Sequence, residues 1–216
     1  MNNIIDLENS DIIFVADMFV EDYSGGGELS TEALFKTSPY NAVKIRSKDV
    51  DENLIKNNAQ KIWVFFNFRS LDHNLIPQII QNLNYFVVEY DFKFCQYRSL
   101  ELHKIKTEND CDCHNSQLGK LVSAFLHGAE CAFYMSQKQK EIYQERFPFL
   151  DDTKNIVLSS IFDEKDLTQI ENLRINRERN GNNGKWAIVD GNSWIKGIEV
   201  SKSLLDDQGE PYDLLG

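Results

Sequence analysis

A chain of 216 residues fits one large domain, or one domain with part of another. Its 42% hydrophobic and 12% aromatic content is enough for a packed core and argues against wholesale disorder. A formal net charge of −11, from 34 acidic and 23 basic residues, argues against nucleic acid as a partner, which would need a net basic face.

A nucleotide ligand stays compatible with that charge, because one lysine and a helix terminus can serve a diphosphate. No apolar run approaches the ~18 residues of a transmembrane span. The opening MNNIIDLENSD has neither the basic nor the apolar region of a signal peptide, so the expected location is the cytoplasm.

In chain order, Ile12-Ile13-Phe14-Val15 is β-branched and aromatic, as a buried strand requires. It ends at Asp17, passes through Ser24-Gly25-Gly26-Gly27-Glu28, and resumes with Leu29, Ala33 and Leu34 as an apolar helical face. Glycine lacks a Cβ, so this loop lets another molecule approach its backbone, and the helix's first amides point at any phosphate or sugar oxygen nearby. A plain strand-to-helix turn is the alternative reading. The glycines are contiguous, unlike the spaced GxGxxG of a dinucleotide site.

Alternation continues. Strands are predicted at Ala42–Ile45, Ile62–Phe66, Tyr85–Tyr90, Ala132–Met135 and Asn155–Leu158, with helices near 49–58, 75–83, 118–127 and after the N-cap Ser136. The stretch Phe92–Ser116 breaks the pattern and reads as irregular. Alternating strands and helices imply an α/β fold, a Rossmann-like, mostly parallel sheet with helices on both faces. Ligands of such sheets bind beyond the carboxyl ends of the strands, which puts Gly25–Gly27, Asn67–Asp72 and Asp91–Arg98 on one edge.

After residue 160 the organisation changes. A polar helical linker, 161–184, closes with NGNNGK. A strand at Trp186–Val189, a helix from about Gly197 to Leu205 and a strand at Tyr212–Leu215 then look like the opening of a second Rossmann-like domain, 185–216, truncated after residues 1–160 have formed the first. Two strands and one helix cannot cover both faces of a doubly wound sheet.

The segments VADMFVEDYSGGGELSTEAL and GNSWIKGIEVSKSLL resemble a bacterial or phage GT-B glycosyltransferase. The resemblance covers the N-terminal domain and the start of the C-terminal one. It implies transfer of a sugar from a nucleotide-sugar co-substrate to a glycan, lipid or small-molecule acceptor, with no further cofactor required. Gly25, Gly26, Gly27 and the adjoining Glu28 would lie near donor phosphates and sugar, and Lys196 would match the lysine of the second-domain turn. The usual arginine there is replaced by Asn192 or Ser193. The family's acidic donor motif is missing, so on the resemblance the chain is an N-terminal portion: the first subunit of a split enzyme with a separately encoded C-terminal half, a truncated reading frame, or a remnant. The alternative is a non-catalytic carbohydrate- or nucleotide-binding module.

Two side-chain groups carry candidate chemistry. Asp91, at the end of a strand, is the candidate general base for an acceptor hydroxyl, with the turn-capping role as its alternative. Arg98 would hold an anionic group or pair with Glu101. Asp17 is a further acid at the end of the first strand. Cys95, Cys111 and Cys113, with His103 or His114, are soft ligands suited to a structural zinc ion, or else they pack a long loop. A disulfide is disfavoured in a reducing cytosol. Cys131 reads as a core residue.

Overall fold

The computed structural model describes residues 7–189 and 197–215. They fall into two compact units that divide between Asp163 and Glu164.

The first unit is built on strands β1 (Ile12–Ala16), β2 (Ala42–Arg46), β3 (Ile62–Phe65), β4 (Asn84–Glu89), β5 (Cys131–Tyr134) and β6 (Asn155–Val157). They form one six-stranded sheet in the order β2-β1-β3-β4-β5-β6, and every neighbouring pair is parallel. Between them run helices α1 (Gly26–Thr37), α2 (Glu52–Asn57), α3 (Ile76–Asn82), α4 (Leu100–Thr107), α5 (Gln117–Gly128) and α6 (Gln137–Arg146). The fold is α/β and Rossmann-like. Its central strands read as unbroken apolar runs because both faces are covered.

Side-chain alternation along the strands sends the two sets of residues to separate cores. Ile13, Val15, Trp63, Phe65, Tyr85 and Val87 join Ile76 and Ile79 of α3, Phe125 of α5 and Tyr143 of α6. On the other face Ile12, Phe14, Ala16 and Val88 pack with Leu34 and Phe35 of α1. Aromatic rings link the layers of the first core, with Tyr85 stacked on Phe125 and Phe65 edge-on to it.

The segment expected to be irregular contains α4. Ser99 caps it by accepting a hydrogen bond from the Leu102 amide, and Glu108 ends it in a left-handed conformation. This helix is hidden in the sequence because LELHKIKT turns only a short apolar face inward, through the buried His103.

The second unit contains α7 (Glu164–Asn180), β7 (Trp186–Val189), α8 (Ile198–Gln208) and β8 (Tyr212–Leu215). β7 and β8 pair in parallel across α8, and Ile188, Ile198 and Leu205 form its small core with Tyr212. Among the described residues, no helix is long and apolar enough to cross a membrane.

Candidate functional site

The strands of the first sheet point the same way, so their carboxyl ends open on one edge. Strand order reverses at β1, whose neighbours β2 and β3 lie on opposite sides, and such a switch point leaves a crevice at that edge. Asp17 follows β1 there. Its carboxylate accepts from the Ser47 hydroxyl and from the amides of Arg69 (3.0 Å) and Ser70 (2.9 Å), while its own amide donates to Asn67 O at 2.6 Å. These bonds tie three connections together, which occupies the carboxylate with structural work.

The three glycines begin α1 instead of preceding it. Gly25 is the N-cap, extended and without a side-chain cap, and Gly26 and Gly27 are the first helical residues. None of the three has a positive φ, so turn geometry does not demand glycine here. Space distinguishes them. A Cβ on Gly26 would meet nothing within 4 Å, whereas one on Gly27 would lie 3.1 Å from the Tyr90 ring. Gly27 therefore packs closely at β4's exit, where a side chain would make the Tyr90 ring give by a few tenths of an ångström, a reason that the sequence alone does not suggest. Thr31 Oγ1 reinforces that contact, bonded to Gly27 O and to Tyr90 Oη at 2.9 Å each. Glu28 is buried in the first turn, its carboxylate lying over Gly25.

Tyr90 immediately precedes Asp91, so the glycine helix start and the acid share one edge. Asp91 Oδ2 accepts from Arg98 Nε at 2.7 Å and from Arg98 Nη2. Arg98 Nη2 also donates to Asn67 Oδ1 at 2.8 Å. The partner of Arg98 is thus Asp91 and not Glu101. Arg98 adopts a left-handed φ of 57°, an uncommon state for a residue with a Cβ, which turns its side chain back over the strand end.

Two residues that sequence reasoning missed complete the group. Glu89 is fully buried at the end of β4, and Lys93 Nζ lies 3.2 Å from Glu89 and 3.5 Å from Asp91. Burial pushes the Glu89 carboxyl up to about 7, partly opposed by Lys93. Among the described residues, Glu89 Oε2 and Asp91 Oδ1 are buried without a hydrogen-bond partner. Tyr143 completes the enclosure. Its hydroxyl accepts from the Lys93 amide at 3.1 Å and donates to Asp91 O at 3.3 Å, and burial keeps the phenol neutral by raising its pKa. The signal for Glu89 was a charge closing an otherwise apolar strand, four residues before a lysine.

The metal-ligand candidates converge. One ligand atom from each of Cys95, His103, Cys111 and Cys113 lies within 4.8 Å of the others. His103 Nδ1 is 3.7 Å from Cys95 Sγ and 3.5 Å from Cys113 Sγ. A tetrahedral ion with Zn–S of ~2.3 Å and Zn–N of ~2.0–2.1 Å has edges of roughly 3.5–3.8 Å, so these spacings fit. Burial, with the neighbouring thiols of Cys95 and Cys113, pushes the Cys111 thiol up to about 12. A cation among the sulfurs would reverse that and draw them into the thiolate form. The cluster can therefore hold a metal ion. Its ligands come from the β4–α4 loop, from α4, and from the segment before α5. His114 stands apart, its ring edge-on to Phe147. Cys131 lies in β5 within the sheet.

Gly119 fixes the last part of this loop. A Cβ there would collide with Cys113 O and come within 2.7 Å of His114 Cα, both backbone atoms that cannot swing aside. Lys196, Asn192 and Ser193 lie outside the described residues.

In comparison with known proteins, no family model, no curated protein and no solved structure matches the chain.

Proposed function

We propose that this chain is the acceptor-side portion of a GT-B glycosyltransferase, using a nucleotide-sugar donor. The observation that carries the reading is the packing of Gly27 against Tyr90. It brings an uncapped helix start and the Asp91–Arg98 pair to the same carboxyl edge of a parallel sheet, beside the strand-order reversal. The free first-turn amides of α1 suit sugar or phosphate oxygens, and Gly26 leaves that backbone open. The βαβ arrangement of the second unit agrees with the start of a donor domain. Exposed Trp186, Val189, Val200, Leu204 and Leu214 on that unit suit covering by further protein, which the rest of a donor domain would supply.

One observation favours the non-catalytic alternative, a carbohydrate- or nucleotide-binding module. Asp91 Oδ2 is already committed to Arg98, and Oδ1 is buried 3.5 Å from Lys93 Nζ, which suits the carboxylate poorly to base chemistry. Mass-spectrometric screening of donor hydrolysis and transfer, with and without a candidate second half, tests the enzyme reading. Turnover that appears only with the second half supports it. Donor binding without turnover under both conditions leaves the binding module.

The cysteine cluster is read as a structural zinc site. Three thiolates and one imidazole close a tetrahedron without an open position, which suits a structural ion and not a catalytic one. Held there, zinc would pin α4 and the approach to α5 to the loop that carries Arg98.

A further inference from the structure

The connection after β3, the β4–α4 loop and α5 enclose a cavity of ≈120 Å³. That volume is well above the roughly 10–15 Å³ that one water requires. Its polar wall consists of Arg69, His73, Lys93 and Arg98, and its apolar wall includes Phe68 and Leu118. No carboxylate lines it, in a chain whose acidic residues outnumber its basic ones by 34 to 23. Charge of this sign gathered in one hollow runs against the composition of the whole molecule.

The cations are held from behind, which leaves donors for the cavity. Arg98 commits Nε and Nη2 to Asp91 and Asn67, and among the described residues Nη1 makes no hydrogen bond. Lys93 is buried, anchored by Glu89 and Asp91, with its ammonium 5.3 Å from the centre of the Phe68 ring. Arg69 donates from Nη1 to Gln96 O at 3.1 Å, which braces its guanidinium across to the β4–α4 loop. Arg69 and His73 come from the connection after β3, and Lys93 and Arg98 from the β4–α4 loop, so basic side chains line the hollow from two connections. A tetrahedral oxyanion can use such an arrangement more fully than a planar carboxylate.

We propose that this cavity is a binding site for a phosphate group, inorganic or carried as a monoester on a small ligand. The site is distinct from the helix start at Gly25–Gly27. The cavity shares Arg98 with the Asp91–Arg98 pair, but neither a donor sugar nor turnover is needed for phosphate to bind there.

The test is calorimetric titration of the full chain with inorganic phosphate, with acetate as the planar comparison. Arg69→Ala and His73→Ala are the variants, because neither side chain is fully buried and their melting curves will report intact folding. The expected result is saturable binding of one phosphate per chain, tighter than acetate. Each variant should weaken it roughly tenfold or more, the loss of a charge-assisted hydrogen bond. No binding at millimolar phosphate, acetate binding as tightly as phosphate, or unchanged affinity in both well-folded variants would overturn the proposal.

Discussion

Arg98 reaches back seven residues to hold Asp91 through two nitrogens, and it does so from a left-handed backbone position. The pair explains why the chain tolerates that conformation. A left-handed residue with a Cβ costs roughly 1–2 kcal/mol, and the half-buried ion pair, shared with Asn67, offsets it.

Replacing Arg98 separates the two effects. Arg98→Ala is expected to destabilise by about 1–3 kcal/mol, since it keeps the strained backbone and leaves Asp91 with Lys93 as its remaining ion-pair partner. Arg98→Gly loses the same pair but relieves the strain, so it should be the more stable variant by about 1 kcal/mol. Urea denaturation of both checks the order, and Arg98→Gly falling below Arg98→Ala would contradict this account.

For the cysteine cluster, elemental analysis of protein purified without added metal should give one zinc per chain. Cys111→Ser or Cys113→Ser should lower that ratio, and a strong chelator should lower the melting temperature. Zinc near zero, with melting unchanged in chelator, removes the metal site and leaves three thiols packed around an imidazole.

Gly119→Ala offers a test at a residue that is not a ligand. Its Cβ must displace the backbone of Cys113 and His114. We expect a stability loss of about 1–3 kcal/mol, as for other overpacked sites, together with weaker metal retention in competition with a chelator. Unchanged metal affinity would mean that the loop shifts without disturbing the sulfur geometry.

Glu89 makes stability depend on pH in a known direction. Its folded-state pKa of about 7 lies above the ordinary 4.5, so the folded protein holds this proton more tightly than the unfolded chain. The contribution is complete below pH 4.5 and is lost as pH rises through about 7. Stability should therefore fall between pH 5 and 7 by an amount of order 1 kcal/mol or more. Glu89→Gln should flatten that interval. Denaturation midpoints at pH 5, 6, 7 and 8 decide it, and parallel curves for the two proteins would contradict the assignment.

How far the sequence reached follows from what each feature depends on. The central strands were legible because burial on both faces leaves unbroken apolar runs such as IIFV and IWVFF, and the partly exposed edge strands β2 and β6 by their short apolar cores. Helix α4 was not, since its one buried residue is His103, with only Leu100 packed against the core beside it, and His103 meets Cys95 and Cys113 from outside the helix. The four ligand candidates could be named from residue type, but CxC with a remote Cys95 does not announce a tetrahedron. Only the folding of the β4–α4 loop brings them together. Glu89 and Lys93 hid inside a strand and its exit, where charge is read as a strand end. The close packing of Gly27 had no local signal at all, because the ring it meets is Tyr90, just past the end of β4.

The central claim, that the helix start at Gly25–Gly27 is a sugar-nucleotide site, is tested most directly at Gly26. Its Cβ position is open and its φ is not in the left-handed region, so a side chain there should leave folding intact. The measurement is saturation-transfer NMR of a panel of nucleotide sugars on wild type and on Gly26→Val, beside melting curves for both. We expect at least one nucleotide sugar to bind wild type and to lose binding in the variant, with melting nearly unchanged. Absence of binding to wild type, or equal binding to both proteins, would contradict the account.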